Sequence, residues 1–338
     1  MKKTGNTYCF QDPPRVLAYA SVVGKKEGEG PLSRDFDYIS DDNTFGEQTW
    51  EKAESRMMSM ALERALSKAH LPPSQLGCIL GGDLLNQCIG TTFALRPTNV
   101  PFLGLYGACS TMAEGLLVAS CLVESGFEQT ACAITSSHFC SAERQYRYPL
   151  EYGGQRPQTA QWTATASGAV VLQKGGMGVR ITHATPGRIA DPGVTSQANM
   201  GAAMALSAYE TISRFFQDTH TGPSHYDLIV TGDLGKVGHQ IVIDLFQRDG
   251  IDMWPTYDDC GLLLYDGSQD VHAGGSGCGC SAAVLCSYIL KAMEQGIFRK
   301  VLFCGTGALL SPTSCNQGQS IPGICHLICL EADEKWNM

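Results

Sequence analysis

The chain has 338 residues, 43% of them hydrophobic, which is enough apolar content for a large core and more length than one ordinary domain needs. A net charge of −9 and a pI near 5.4, with Lys and Arg scattered, exclude a nucleic-acid-binding surface. In chain order, residues 16–23 (Val-Leu-Ala-Tyr-Ala-Ser-Val-Val) read as a buried strand, and a charged loop leads to helical spacing over 50–70 that Leu71-Pro72-Pro73 ends. A strand at 76–81, a turn and helix over 104–126, and strands at 130–136 and 170–174 follow. A second series has strands at 179–184 and 226–231, helices at 199–217, 239–247 and 281–294, and strands at 301–303 and 325–330.

The second series repeats the first. Ser74-Gln75-Leu76-Gly77-Cys78-Ile79-Leu80-Gly81-Gly82-Asp83-Leu84 lines up with Ser224-His225-Tyr226-Asp227-Leu228-Ile229-Val230-Thr231-Gly232-Asp233-Leu234, and a helix ending at Gly126 matches one ending at Gly296. Alternating strands and helices predict mostly parallel sheets with helices on both faces. The expected fold is α/β, a five-layer αβαβα sandwich of two duplicated halves, 1–175 and 176–338. Ligands in such sheets sit beyond strand C-termini, which groups Asp83, Ser136, Asp233 and the 305–308 turn (Gly-Thr-Gly-Ala).

Fifteen cysteines sit mostly in apolar runs such as Leu76-Gly77-Cys78-Ile79-Leu80 and read as small core residues. Cys278/Cys280 and Cys325/Cys329 lack partners at finger-like spacing, so no metal site is expected. Met1-Lys2-Lys3-Thr4 runs into polar residues and Pro13-Pro14, unlike a signal peptide. Residues 301–330 carry no Asp, Glu, Lys or Arg, yet Pro312, Pro322 and polar residues there argue against a membrane span.

Gly104-Leu105-Tyr106-Gly107-Ala108-Cys109-Ser110-Thr111 places one cysteine among small residues where an extended stretch becomes helical. Small neighbours allow a sharp turn, and the positive end of the helix dipole favours a thiolate there. Each candidate also has a bland reading. Cys109 packs, Asp83 caps a helix or turn, His239 sits at a helix start, and Ser136 ends a strand. Arg144, Arg147 and Arg156, set among Tyr146, Tyr148 and Tyr152, form either an anion-steering mouth or cation–π packing.

The duplication and the cysteine elbow resemble the thiolase and ketoacyl-synthase superfamily. Gly82-Asp83-Leu84-Leu85-Asn86-Gln87, Thr135-Ser136-Ser137-His138-Phe139, Ala142-Glu143-Arg144-Gln145-Tyr146-Arg147 and Glu151-Tyr152-Gly153 resemble a narrower family, the stage V sporulation AD proteins. The superfamily resemblance implies a thiolate plus two activating groups, His with His or Asn. Cys109 fits the first; the register puts Gly232 or Asp233 at the second, with His239 seven residues beyond Gly232, and Gly277-Cys278-Gly279-Cys280 at the third.

The resemblance therefore implies a synthase scaffold without its chemistry, a binding protein for dipicolinate, alone or as its calcium chelate, during uptake into the spore and release in germination. The implied ligand set is Cys109, Asp83, Asn86, Ser136, His239, Cys278 and Gly307, with no resident cofactor. Integral membrane subunits of one sporulation channel, a homodimer and a peripheral place at the spore inner membrane, inside a spore-forming bacterium, are implied as well. The alternative is a condensing acyltransferase for acyl-CoA or an acyl carrier, using Cys109 with His239.

Overall fold

A computed structural model describes residues 1–146 and 156–333. The first series supplies strands β1 (Arg15–Val23), β2 (Cys78–Gly82), β3 (Phe102–Gly104), β4 (Thr130–Ser137) and β5 (Ala166–Gln173). The second supplies β6 (Val179–Thr185), β7 (Leu228–Thr231), β8 (Tyr257–Asp259), β9 (Lys300–Ala308) and β10 (Gly323–Ala332). They lie side by side in the order β8-β7-β9-β10-β6-β1-β5-β4-β2-β3, so each half repeats the same arrangement outward from a central β6–β1 seam. That seam is thin, pairing Arg180 with Arg15.

The sheets are not mostly parallel as the alternation suggests. In each half the last strand, β5 or β10, is antiparallel to both its neighbours, and among these ten strands the parallel runs are β4–β2–β3 and β9–β7–β8. The chain leaves β4 or β9 and re-enters the sheet from the same end, without the full-length crossover that a parallel neighbour requires. The three-residue strands β3 and β8 were too short to show a period in the sequence.

Helix α1 (Trp50–Ala69) starts at Thr49, whose hydroxyl accepts from the Lys52 amide, and stops at His70 in the left-handed conformation. It buries Ala53, Met57, Met58, Ala61, Leu62 and Ala65 against the outer face of the first-half strands. Its counterpart in the second half, Met200–Thr219, likewise ends on a left-handed residue, His220. The short helix α2 (Ile89–Leu95) leads toward β3.

Helix α3 (Thr111–Ser125) and the run that begins with Cys278–Val284 lie between the two sets of strands, which explains why α3 is apolar on nearly every side. Among the described residues, only the stretch Ala108–Ser125 is long and apolar enough to cross a membrane, and most of it is buried inside the fold. The layers are thus helix, sheet, helix, sheet, helix.

Candidate functional site

Gly107 opens the elbow, Ala108 takes a left-handed φ of 51°, and residues Ala108–Ser110 form one tight turn before α3. Ser110 Oγ donates to the Gly107 carbonyl at 2.6 Å and Thr111 Oγ1 to that of Ala108 at 2.7 Å, which ties the turn to the helix start. The elbow rests on β9. A Cβ at Gly305 would meet Ala113 Cβ at 2.7 Å, and one at Gly307 would meet the Gly107 carbonyl oxygen at 2.6 Å. Gly307 is therefore the seat of the elbow, within a strand rather than a turn. Residues 305–308 continue β9, paired with His326, Cys325, Ile324 and Gly323.

Cys109 is 7% exposed and its acidity runs opposite to the helix-dipole expectation. Burial pushes the thiol well above its ordinary value, and the neighbouring carboxylate of Asp233, which accepts its hydrogen bond, pushes further in the same direction. A dipole at a helix start acts as a fraction of a unit charge, whereas the fully buried Asp233 carboxyl sits directly against the thiol. Cys109 is a neutral thiol.

Asp233 stands where the superfamily resemblance calls for His. It is fully buried, with Oδ2 accepting from Ser276 Oγ (3.0 Å) and the Gly277 amide (2.9 Å), and Oδ1 from Thr306 Oγ1 (2.8 Å). Burial still raises its carboxyl above the usual range. Gly277 and Cys278 occupy the place of the third group. The Cys278 thiol is buried and donates to the Ser136 carbonyl at 2.9 Å.

A cavity of about 250 Å³ opens over Cys109. Leu84, Tyr106, Ala142, Tyr146, Met200 and Leu310 supply its apolar wall, with Glu143, Thr163 and Ser276 as polar points. Those polar groups are tied down: the Tyr106 and Tyr146 hydroxyls lie 3.0 Å apart and both reach the Leu84 carbonyl, and Thr163 Oγ1 donates to Glu143 Oε1 at 2.9 Å. No Lys, Arg or His of the described residues lines it.

Of the seven residues expected in the ligand set, Cys109 lines this cavity and the others stand outside its lining. Asp83 takes its alternative role as a turn residue, accepting from the Leu85 amide (2.9 Å), the Thr91 amide (2.7 Å) and Thr91 Oγ1 (2.6 Å) to anchor α2. Asn86 is exposed and its amide donates to Gln145 Oε1. Ser136 Oγ donates to buried Glu54 at 3.0 Å. His239 stacks on Tyr257 (centroids 4.6 Å apart, planes 6° apart), burial favours its neutral form, and it does not line the cavity over the thiol.

Arg144 pairs with Glu51, and Arg156 lies 4.9 Å over the Trp162 ring and donates to the Asp270 carbonyl, which is the packing alternative. Arg147, Tyr148 and the Glu151-Tyr152-Gly153 motif lie outside the described residues. The cavity residues other than Cys109 come from seven separate segments. A faint signal existed for Glu143 and Tyr146, inside a run already conspicuous for its resemblance.

The family model for stage V sporulation protein AD matches residues 4–331. The stage V sporulation protein AD of Bacillus subtilis (strain 168) is 45% identical over 332 residues, covering 98% of each chain. The cerulenin-bound OleA of Xanthomonas campestris aligns with a TM-score of 0.62 at 14% identity over 98% of this chain and 100% of that one. For 3-oxoacyl-[acyl-carrier-protein] synthase III of Aquifex aeolicus VF5 the TM-score is 0.57 at 13% identity, over 94% and 99%. At such identities these two structures speak to the fold, which is that of thiolase-like condensing enzymes. With the family model matched over residues 4–331 and a member 45% identical over nearly the whole length, the chain belongs to the stage V sporulation protein AD family.

Proposed function

We propose that this sporulation protein is a binder of dipicolinate, a flat pyridine dicarboxylate, and that the ligand occupies the cavity over Cys109. The observation that carries the reading is the pairing of Cys109 with Asp233. A condensing enzyme needs a thiolate and a base that can take up a proton and then stabilise negative charge; a buried carboxylate already accepting three other hydrogen bonds opposes both. What remains is a ring-sized, largely apolar slot, the usual form of a small-molecule site.

Glu143 on the lining favours the calcium chelate over the bare dianion. Calcium held by dipicolinate keeps coordination positions open for further oxygen ligands such as this carboxylate. Asp83 and Asp233 are engaged in buried hydrogen bonds and are absent from this lining. In the cell the chain acts as a peripheral subunit at the spore inner membrane, with integral membrane partners forming the path. The free edge at β3, where Leu103 is half exposed, offers a surface for homodimer pairing.

Calorimetry with dipicolinate, with and without calcium, tests the reading. Binding is expected in the presence of calcium and is weakened by Glu143→Gln and by Leu310→Trp, which fills the slot. Absence of binding in both conditions refutes it. A mass adduct after incubation with acyl-CoA donors, lost in Cys109→Ala, would favour the acyltransferase instead.

A further inference from the structure

A second cluster lies far along the sheet from Cys109. His183 on β6 and Cys329 and Glu331 on β10 each offer a metal-ligating atom, and these atoms all lie within 4.8 Å of one another. Cross-strand register creates the group: His183 pairs with Cys329, and Glu331 follows two residues later on the same face. A β-bulge between Ile181 and His183 leaves Thr182 as an extra residue. The cluster borders an open pocket of about 260 Å³ that Cys9 and His225 also line.

Thr182 orients the group. Its Oγ1 lies 3.0 Å from His183 Nδ1 and donates to Glu331 Oε1 at 3.3 Å, and it is also hydrogen-bonded to the Cys329 thiol. With Oγ1 donating to Glu331, Nδ1 carries the proton toward Thr182 and Nε2 is left with its lone pair. That is how a supporting residue sets the tautomer of a metal-binding imidazole.

The duplicated fold provides an internal control. In the first half β1 and β5 repeat this register and this bulge, with Arg15 opposite Gln173 and Ala18 opposite Val171. The positions of Thr182, His183, Cys329 and Glu331 are held there by Leu17, Ala18, Val171 and Gln173, three of which pack in an apolar core. The backbone therefore does not require a histidine, a thiol and a carboxylate at these places.

We propose that His183 Nε2, Cys329 Sγ and a Glu331 carboxylate oxygen bind a borderline-soft divalent transition-metal ion of the Zn²⁺ class, clamping β6 to β10. Tetrahedral bonds of about 2.0–2.3 Å separate ligand atoms by roughly 3.3–3.8 Å, so closing the site takes shifts of about 1 Å. The thiol proton leaves to solvent as the ion binds. Arg180, 3.0 Å from Glu331, and Lys300 on the pocket wall disfavour a dication held by charge alone, which selects against calcium and for thiolate and imidazole bonding. Water fills the fourth position.

The test uses the full chain after chelator treatment, titrated with Zn²⁺ by calorimetry and with Co²⁺ by absorption. One equivalent is expected, with a thiolate-to-cobalt charge-transfer band. Cys329→Val removes the band, His183→Ala and Glu331→Gln each weaken binding at least tenfold, and Thr182→Ala weakens it about 10–100-fold. The three ligand variants copy the first-half residues, and metal-free circular dichroism verifies that they fold. If Cys329→Val does not fold, His183→Ala with its retained thiol decides. No saturable binding by the unmodified chain, or binding unchanged in His183→Ala, overturns the proposal.

Discussion

Gly307→Ala is the sharpest probe of how the elbow is held. The added methyl would sit 2.6 Å from the Gly107 carbonyl oxygen, 3.1 Å from the Ser110 amide and 3.3 Å from Ser110 Cβ. Two of these are backbone atoms of the elbow, and ordinary contact begins near 3.4 Å, so elbow and strand must part by several tenths of an ångström. Overpacking of this kind costs about 1–3 kcal/mol. Loss of glycine's freedom in the unfolded chain returns about 0.4–1 kcal/mol, so the clash wins and the net loss is about 1–2 kcal/mol. Denaturant unfolding, with Gly222→Ala as control, measures it. Nothing lies within 4 Å of a Cβ at Gly222, so that variant should show only the gain of about 0.4–1 kcal/mol from the unfolded chain. Equal midpoints for the two variants would refute the claim that β9 seats the elbow.

Alkylation with iodoacetamide near neutral pH should label the half-buried Cys9 and Cys315 well before Cys109, as read by peptide mapping; early labelling of Cys109 would contradict a neutral, buried thiol. Burial and the nearby Asp83 push the Glu54 carboxyl up to about 8, so the folded chain holds a proton that the unfolded chain has released. Stability from this group is present below the unfolded value near 4.5 and is lost as pH rises toward 8, and Glu54→Gln should flatten that alkaline decline in melts taken across pH. His326 works in the opposite direction. Burial lowers it from 6.5 to about 4, so stability present above 6.5 falls by about 3 kcal/mol as pH drops through 4, and His326→Gln should remove much of that acid loss.

Much of the fold was legible because its signals are local. The helix over 50–70 and its partner over 199–217 appear as Trp50–Ala69 and Met200–Thr219, offset by the same 150 positions as the Ser74 and Ser224 segments. Apolar spacing, Pro-terminated ends and a repeated strand-to-turn segment require only neighbours in the chain. The edge strands β3 and β8 escaped notice because three residues carry no period. The antiparallel return of β5 and β10 escaped too, since alternation of elements says nothing about the end of the sheet at which the chain re-enters.

The position of Cys109 could be read from the small residues around it, and the want of a His partner from aligning the halves. Its protonation state could not. Asp83 and Asp233 are equivalent in the repeat, yet Asp83 anchors a local helix while Asp233 reaches the elbow of the other half and holds the thiol neutral. His183, Cys329 and Glu331 likewise show no spacing that suggests a site until β6 and β10 pair. Sequence determined the repeated elements and the elbow, because periodicity and turn chemistry act over a few residues. Tertiary structure decided the charge of the thiol, the walls of the cavity and the second cluster, because burial and Coulomb forces depend on groups that folding brings together from distant parts of the chain.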